Sequence, residues 1–315
     1  MIVFDIPLQV PFRGVTRRQG ILFEGEAGWV EWSPFREYSD QEAATWLRAT
    51  ATVAREGHPE PLRDRVAVNG IIPAIGPGEV ARRVAESGCR TLKVKVAAPG
   101  EDLDDDVARV ATARAALPGG AIRVDANGSW TPDRAEDAIR ELAQFDLEYV
   151  EQPCARVEEL AELRRRLDGV VAIAADESIR RATDPLRVRE LDAADVVVLK
   201  VQPLGGAIAC LDLAERLGLP VVVSSAVETS VGLEAGLRLA AALPELPFAC
   251  GLETGRLLTC DVTAHPLQPV AGQIEVRPVR VDADLLTACR ADARTERWWL
   301  DRLHRVAAVA EVGLP

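Results

Sequence analysis

The sequence has few of the residues that mark several common classes of protein. Its 315 residues include three histidines, so a histidine-rich metal site is nearly excluded, and any acid–base chemistry must rely on carboxylates and lysines. The six cysteines have no CxxC spacing and are interpreted as small buried residues rather than as a zinc or redox site. Because no GxGxxG motif follows the first predicted strand, a dinucleotide-binding fold lacks its fingerprint.

Long apolar runs and blocks of positive charge are also missing. No run reaches 18 apolar residues, and the N-terminus lacks the basic and apolar regions of a signal peptide, so we expect a cytoplasmic protein. The formal net charge is −12 without a cluster of Lys and Arg, which predicts neither a nucleic-acid nor a membrane partner. A small anionic substrate is still compatible with this net negative charge if positive charge is concentrated in one pocket. The oligomeric state is not predicted.

The middle of the chain has the pattern of a repeated βα unit. Between residues 65 and 252, short β-branched runs alternate with stretches of helical periodicity, which is typical of a parallel sheet. A spacing of about 25 residues per unit favours a (β/α)8-type barrel over an open six-stranded sheet. Strands are predicted at 66–74, 91–97, 121–126, 147–151, 171–176, 195–201, 220–225 and 248–252. Helices are predicted at 78–87, 103–116, 132–145, 157–167, 208–217 and 231–243.

The two ends of the chain differ from the middle. Short strands are predicted at 20–26 and 28–32, then a helix at 40–56 that Asp40 could cap, and near the C-terminus a strand at 273–276 and a final helix. We therefore expect an α+β capping domain formed by residues 1–64 and completed by 270–315, beside a barrel formed by 65–269. Trp298 and Trp299 on the final helix are interpreted as core residues of this capping domain rather than as a ligand cage.

Ionisable residues stand at the end of five consecutive predicted strands. In chain order they are Lys93 and Lys95, Asp125, Glu151, Asp176, and Lys200. The carboxyl ends of barrel strands converge on one mouth, so these side chains should meet there. Asp, Glu and Lys are almost never fully buried unless they are paired or bind a metal. Each residue alone could be half of a buried salt bridge, Lys93 with Asp125 for instance, but the recurrence on five strands favours a functional site.

The types of residue at these strand ends predict metal-assisted proton transfer. Three neighbouring carboxylates repel one another, and a hard divalent cation such as Mg²⁺ relieves that repulsion. Lys93 and Lys95 are two residues apart on one strand and therefore point to the same side. Lys200 enters from the opposite side of the mouth. A desolvated lysine beside another cation has a lowered pKa, as a general base near neutral pH requires.

At these positions the sequence resembles the enolase superfamily and its muconate-lactonizing-enzyme-like subgroup. The resemblance covers nearly the whole chain and rests on Lys93-Val94-Lys95, Asp125, Glu151, the pair Asp176-Glu177, and Lys200. It implies an α/β fold, namely a modified TIM barrel of the (β/α)7β type with a capping domain built from both termini. It also implies a lysine base and one Mg²⁺ ion, for which Mn²⁺ can substitute, bound by Asp125, Glu151 and Asp176.

Two segments narrow the resemblance within that subgroup. Residues 11–18 (PFRGVTRR) and 123–127 (RVDAN) are similar to the o-succinylbenzoate synthases of menaquinone biosynthesis, in particular the compact actinobacterial type. These lyases carry out the syn-dehydration of 2-succinyl-6-hydroxy-2,4-cyclohexadiene-1-carboxylate, a dicarboxylate, through an enediolate. The resemblance implies that Lys95 is the base and then the acid, that Lys200 stabilises the intermediate from the opposite face, and that Lys93 assists. Substrate contacts are expected at Asn127, at Ser224 with Ser225 beside it, at Gly251 and at Arg17. The other arginines of the capping-domain loop, Arg13 and Arg18, are alternatives to Arg17 as the partner of the second carboxylate.

Other activities of the same superfamily stay open at this point. An N-acylamino-acid racemase, with N-succinylamino acids as substrates, would use Lys95 and Lys200 as two bases. A dipeptide epimerase is disfavoured because 251–255 (GLETG) lacks the Asp-x-Asp motif of those enzymes. A barrel without chemistry should have lost at least one of these groups, and a Schiff-base aldolase needs one isolated lysine, so both are minor alternatives.

Overall fold

The computed structural model describes residues 1–313. Within this range the strands are β1 (Ile2–Phe12), β2 (Val15–Gly25), β3 (Gly28–Trp32), β4 (Arg65–Ala67), β5 (Gly70–Ile72), β6 (Thr91–Lys95), β7 (Ala121–Asp125), β8 (Leu147–Glu151), β9 (Ile173–Ala175), β10 (Val196–Leu199), β11 (Val221–Val223) and β12 (Gln273–Glu275). The helices are α1 (Asp40–Glu56), α2 (Pro77–Ser87), α3 (Leu103–Ala116), α4 (Pro132–Leu142), α5 (Val157–Leu167), α6 (Glu177–Arg180), α7 (Arg187–Glu190), α8 (Ala207–Leu217), α9 (Ser230–Ala242), α10 (Ala283–Ala288) and α11 (Ala293–Ala310).

Strands β5 to β11 form one parallel sheet in sequential order, with helices packed outside it. The predicted eighth strand, 248–252, is not a regular strand. Instead Cys250 bridges Val68 and Gly251 bridges Ser224, so this short segment connects the two edges of the sheet. The predicted first strand, 66–74, is divided, because β4 pairs antiparallel with β12 and only β5 joins the barrel. The expected (β/α)7β architecture is confirmed.

The helices follow the sequence pattern closely where a capping residue defines their ends. Asp102 caps α3 and forms a capping box with Asp105, and Thr131 precedes Pro132 at the first position of α4. The predicted helix 132–145 ends at Leu142 and continues as a 3₁₀ turn. Between β9 and β10 the chain forms the two four-residue helices α6 and α7. No helix among residues 1–313 combines the length and the apolar character needed to cross a bilayer.

The cap consists of the antiparallel sheet β1-β2-β3 with α1 and α11 packed on it. Trp32 and Trp299 are fully buried and meet edge to face with ring centroids 5.6 Å apart, so the interpretation of Trp299 as a core residue is confirmed. The prediction that Asp40 is the N-cap residue of helix α1 was wrong. Ser39 rather than Asp40 caps the helix, because its hydroxyl accepts from the backbone of Glu42 while the Glu42 carboxylate accepts from the backbone of Ser39.

The hairpin β1–β2 was not predicted, and it carries cap residues to the mouth of the barrel. Proline is tolerated at Pro7 and Pro11 because β1 is an edge strand and its register is interrupted between Pro7 and Phe12. Arg13 and Gly14 form the turn with positive φ angles of 52° and 76°.

Candidate active site

The carboxyl ends of the barrel strands and the cap line a cavity with about 850 Å³ of open space, which includes solvent at its mouth. The cap contributes Phe12, Arg13, Phe35, Tyr38 and Trp46 to its wall. Eight of the residues predicted from the sequence also line it: Lys93, Lys95, Asp125, Asn127, Asp176, Lys200, Ser224 and Gly251. Glu151 lies directly behind Lys93 and is fully buried.

Strand register explains why the ionisable residues meet. Lys95 on β6 is the direct neighbour of Asp125 on β7, and Asp125 is the direct neighbour of Glu151 on β8. Lys93 lies two residues earlier on β6, so its side chain points to the same side of the sheet. Its Nζ lies 2.7 Å from Glu151 Oε1 and 3.2 Å from Asp125 Oδ2. The salt bridge between Lys93 and Asp125 that the sequence left open as an alternative is therefore present, as part of a larger cluster.

Asp176 is held by two cations. Lys200 on the segment after β10 donates to Oδ2 over 2.6 Å, and Arg180 on α6 donates to Oδ1 over 2.9 Å. Arg180 also donates to the Tyr38 hydroxyl and to Glu177, which connects this part of the site to the cap. Burial raises the pKa of Asp176, but Arg180 and Lys200 outweigh burial and hold that pKa below its ordinary value.

Burial and neighbouring charges give the lysines different pKa values. Burial lowers the pKa of Lys95 to about 8; Asp125 opposes this shift, while Lys93 and Arg13 add to it. Burial likewise lowers the pKa of Lys200. For Lys93, burial is outweighed by Glu151 and Asp125, and its pKa is raised above the ordinary value. Burial thus lowers the pKa of both Lys95 and Lys200, and the value of about 8 for Lys95 lies in the range of a general base.

The count of lysines is a signal that the sequence interpretation missed. Of the 37 Lys and Arg residues in the chain, three are lysines, and all three lie in this site. Arginine stays protonated in proteins, whereas a buried lysine can release its proton. The chain thus uses arginine wherever a fixed positive charge suffices and has lysine only at the cavity.

The three strand-end carboxylates are suitable ligands for a divalent cation. Burial and Asp125 raise the pKa of Glu151 to about 7, and its buried Oε2 has no hydrogen-bond partner among residues 1–313. A buried carboxylate oxygen without a partner is costly, and a cation with oxygen ligands would satisfy it. Among residues 1–313 no three acidic, histidine or cysteine side chains are spaced to hold a metal ion, and Lys93 and Lys200 donate to two of the carboxylates. Binding a cation would therefore require these ammonium groups to move aside.

Two polar residues just beyond the strand ends orient the charged groups. Asn127 accepts from Lys95 Nζ over 2.7 Å, and its backbone N–H donates to Asp125 over 3.0 Å. Gln152 Oε1 accepts from the backbone N–H groups of Asp176 and Ser178. Both residues have positive φ angles, 48° for Asn127 and 40° for Gln152, which are uncommon for residues other than glycine. Gln152 was not predicted, because its role depends on contacts across strands.

The three arginines of segment 11–18 lie in three different environments. Arg17 donates to Asp5 over 2.7 Å, its side chain is 49% exposed, and it lines a shallow depression away from the carboxylates. Arg18 is buried under the cap. Arg13 instead lines the cavity and donates to Glu177. The cap arginine beside the lysines is thus Arg13 and not Arg17, since the turn at Arg13-Gly14 reaches over the mouth while Arg17 lies back along β2.

Ser224 and Gly251 meet at the far wall of the cavity. A Cβ on Gly251 would lie 2.6 Å from Ser224 Oγ and 3.2 Å from Ser224 Cβ, so a larger residue here would require Ser224 to shift. Ser225 donates to Gly251 O over 2.7 Å and lies 2.7 Å from the Thr254 hydroxyl. Ser225 and Thr254 also line the cavity, and of these two Thr254 was not predicted.

Comparisons with known proteins agree with this geometry. Models of the families described as "Enolase N-terminal domain-like" and "Enolase C-terminal domain-like" match residues 3–54 and 78–280. An o-succinylbenzoate synthase of Thermobifida fusca is 58% identical over 98% of this chain and 96% of its own length. An o-succinylbenzoate synthase of Mycolicibacterium smegmatis is 50% identical over 96% of this chain and 93% of its own length.

Solved structures share the fold at low sequence identity. Muconate lactonizing enzyme from Pseudomonas putida has a TM-score of 0.75 at 20% identity, covering 92% of this chain and 98% of its own. N-succinyl Arg/Lys racemase from Bacillus cereus has a TM-score of 0.74 at 19% identity, covering 92% and 96%. These likenesses concern the fold alone, whereas the relatives at 50% and 58% identity define the family. The chain belongs to the enolase superfamily and, within it, to the family of o-succinylbenzoate synthases.

Proposed function

We propose that the protein catalyses the Mg²⁺-dependent dehydration of 2-succinyl-6-hydroxy-2,4-cyclohexadiene-1-carboxylate to o-succinylbenzoate and water. The observation that carries this proposal is the meeting of all three lysines of the chain with three adjacent carboxylates in one covered cavity. The family supplies the substrate, because the relatives that match over nearly the full chain are named o-succinylbenzoate synthases.

Lys95 is the residue proposed to move the proton. Its neutral amine would take the proton from the carbon that bears the ring carboxylate, and a pKa of about 8 leaves part of this amine neutral near neutral pH. The electron pair of the broken C–H bond is stabilised as an enediolate of the substrate carboxylate and forms the new ring double bond when the C–O bond to the hydroxyl breaks. The ammonium of Lys95 then gives its proton to that hydroxyl, which leaves as water. One residue can serve both steps because proton and hydroxyl lie on the same face.

Lys200 and Lys93 are proposed to act through their charges. Lys200 enters from β10, across the three carboxylate strands from β6, so it faces the substrate from the side opposite Lys95. Its ammonium would stabilise the negative charge that develops on the substrate carboxylate. Lys93 pairs with Glu151 and Asp125 when no metal is bound and, as a neighbouring cation, lowers the pKa of Lys95.

Asp125, Glu151 and Asp176 are the proposed metal ligands. When bound, Mg²⁺, or Mn²⁺ in its place, would neutralise charge on the substrate carboxylate and so make the adjacent proton more acidic. The unpartnered oxygen of Glu151 supports this assignment.

The remaining wall is proposed to hold the rest of the substrate. Asn127, Ser224 and Gly251 keep their proposed role in substrate binding, with Ser225 beside them. Arg13 replaces Arg17 as the proposed partner of the succinyl carboxylate, since its guanidinium lies at the cavity and a carboxylate there could share it with Glu177.

Racemisation of N-succinylamino acids is a second candidate activity. It is favoured by one observation, the placement of Lys95 and Lys200 on opposite sides of the cavity with separate carboxylate partners, Asp125 and Asp176. Two such lysines could remove a proton from one face of an α-carbon and return one to the other face.

Incubation of the Mg²⁺-loaded protein with each substrate in D₂O separates the two activities. We expect the cyclohexadiene to give o-succinylbenzoate, identified by mass spectrometry as a product lighter by one water. An N-succinylamino acid should gain deuterium at its α-carbon at most slowly. Rapid deuterium exchange and racemisation, with no product from the cyclohexadiene, would reject the dehydratase assignment.

A further inference from the structure

Two cysteines far from the catalytic lysines lie close enough to react with each other. The Sγ atoms of Cys260 and Cys289 are 3.2 Å apart. Cys260 is exposed to solvent, contrary to the expectation that all six cysteines are buried, and Cys289 is buried behind it. A disulfide has an S–S distance of about 2.05 Å, so the two sulfurs need to approach by roughly 1 Å. The pair therefore has an accessible thiol and a second thiol within reach.

The pair lies at the outer edge of cap strand β1. On one side of this edge, Asp5 N–H donates to Cys289 O over 2.9 Å. Further along the same edge, Thr259 N–H donates to Pro7 O over 3.0 Å. The segment with Cys289, before α11, and the segment with Cys260, after Gly251, thus both cover the edge of β1. The two thiols lie where these segments meet.

The residues beside Cys260 connect this seam to the cavity. Asp261 accepts from the hydroxyl and the backbone N–H of Ser230 at the first turn of α9. Thr254, in the 3₁₀ turn that precedes Cys260, lines the cavity. A covalent link between Cys260 and Cys289 would consequently restrain a segment that joins the cap to the cavity wall.

We propose that Cys260 and Cys289 form a reversible intramolecular disulfide when the protein meets a low-molecular-weight disulfide oxidant. The thiolate of Cys260 attacks one sulfur of the oxidant, which forms a mixed disulfide and releases one thiol. Cys289 loses its proton to solvent and attacks the Cys260 sulfur, which closes the Cys260–Cys289 bond and releases the second thiol. The two cysteines lose two electrons and two protons, and the oxidant gains them.

Burial explains why the exposed cysteine should react first. Burial raises the pKa of Cys289 to about 12, so its thiolate is scarce and attacks only when the mixed disulfide is held beside it. The bond would close a loop between residues 260 and 289 and restrict the unfolded chain. This inference does not depend on the proposed reaction, since neither cysteine lines the cavity.

The test compares the full-length protein in dithiothreitol and in oxidised glutathione. After thiol alkylation and tryptic digestion, oxidation should link peptide 257–280 to peptide 281–290. The melting temperature should rise by roughly 5 °C, the size expected when a loop of about 30 residues is closed. Cys260→Ser and Cys289→Ser should each abolish the linked peptide and the rise. Cys89→Ala, a buried cysteine outside the pair, should keep both.

Several results would overturn the proposal. One is a glutathione adduct that persists on Cys260 without a linked peptide, and another is a dimer joined through two copies of Cys260. A rise of equal size in Cys289→Ser is a third. If either serine variant fails to fold, alkylation of exposed Cys260 in the folded wild-type protein replaces it, and this must likewise prevent the linked peptide and the rise in melting temperature.

Discussion

Arg18 joins the cap to the cavity wall through Val227. Its Nε donates to Val227 O over 3.2 Å and to Ala226 O over 3.1 Å. Val227 has a φ angle of 64°, an uncommon conformation for a β-branched residue, and both Ala226 and Val227 line the cavity. Such backbone strain persists only where surrounding contacts hold it. We conclude that the buried guanidinium of Arg18 fixes the loop that follows β11.

Arg18→Met should therefore destabilise the protein by about 3 kcal/mol, because it leaves buried carbonyl groups and the nearby Glu31 without their cation. Denaturant unfolding monitored by circular dichroism measures this change. Arg17→Met is the matched control. Arg17 is the neighbouring arginine with an exposed ion pair to Asp5, and its loss should cost at most about 1 kcal/mol. Equal losses in the two variants would contradict the role of Arg18.

Lys95→Ala and Lys200→Ala should each lower kcat by about a thousandfold or more while the melting temperature stays near that of the wild type. Lys95→Arg keeps the positive charge but cannot release a proton, so it should be as inactive as Lys95→Ala. Turnover by Lys95→Arg at a rate near that of the wild type would exclude Lys95 as the base. The same result for Lys200→Ala would exclude an electrostatic role for Lys200.

Asp125→Asn, Glu151→Gln and Asp176→Asn should each weaken Mg²⁺ binding by at least about tenfold in a calorimetric titration. Asp133→Asn, which changes an exposed carboxylate on α4, is the control and should leave the affinity unchanged. The three lysines allow a second readout without activity. In a protein labelled at lysine, Mg²⁺ should shift the signals of Lys93 and Lys200, since the ion replaces them at the carboxylates. Unchanged affinity in the variants would reject these residues as ligands.

His58 should make the fold sensitive to acid. Burial lowers the pKa of His58 to about 4, from 6.5 for the free side chain, and its Nδ1 has no hydrogen-bond partner. The unfolded chain therefore binds a proton at higher pH than the folded one. The neutral His58 therefore contributes fully to the free energy of unfolding above pH 6.5. This contribution, about 2 to 3 kcal/mol in total, is lost as the pH falls toward 4.

Unfolding free energies of the wild type and His58→Gln at pH 7.5 and pH 4.5 isolate this contribution. The wild type should lose more stability than the variant between these two pH values, whereas His304→Gln, at an exposed position of α11, should lose as much as the wild type. Parallel losses in all three proteins would show that His58 does not titrate as stated.

The proposed catalytic residues could be identified in the sequence because their positions obey a local rule. Lys95, Asp125 and Glu151 end consecutive parallel strands, and the register that brings them together follows from the βα repeat. The contribution of the cap follows no such rule. Which arginine of segment 11–18 reaches the cavity depends on where the hairpin turns, and only the structure places that turn at Arg13-Gly14.

Contacts between distant segments account for most of the other differences. Gln152 and Thr254 could not be distinguished from ordinary loop residues, since their roles come from hydrogen bonds between distant segments. The eighth strand shrinks to bridges at Cys250 and Gly251 because the packing of Gly251 against Ser224 is set by barrel closure. Local pattern thus identified the ionisable residues, and tertiary pairing decided the rest of the site.

The most direct test of the central claim is the ultraviolet absorbance of the cyclohexadiene substrate after addition of the purified protein. With Mg²⁺ present, the absorbance should fall rapidly as o-succinylbenzoate forms. EDTA should stop the reaction, and excess Mg²⁺ should restore it. Absence of turnover by protein that calorimetry has shown to be loaded with Mg²⁺ would contradict the assignment, as would turnover that persists in EDTA.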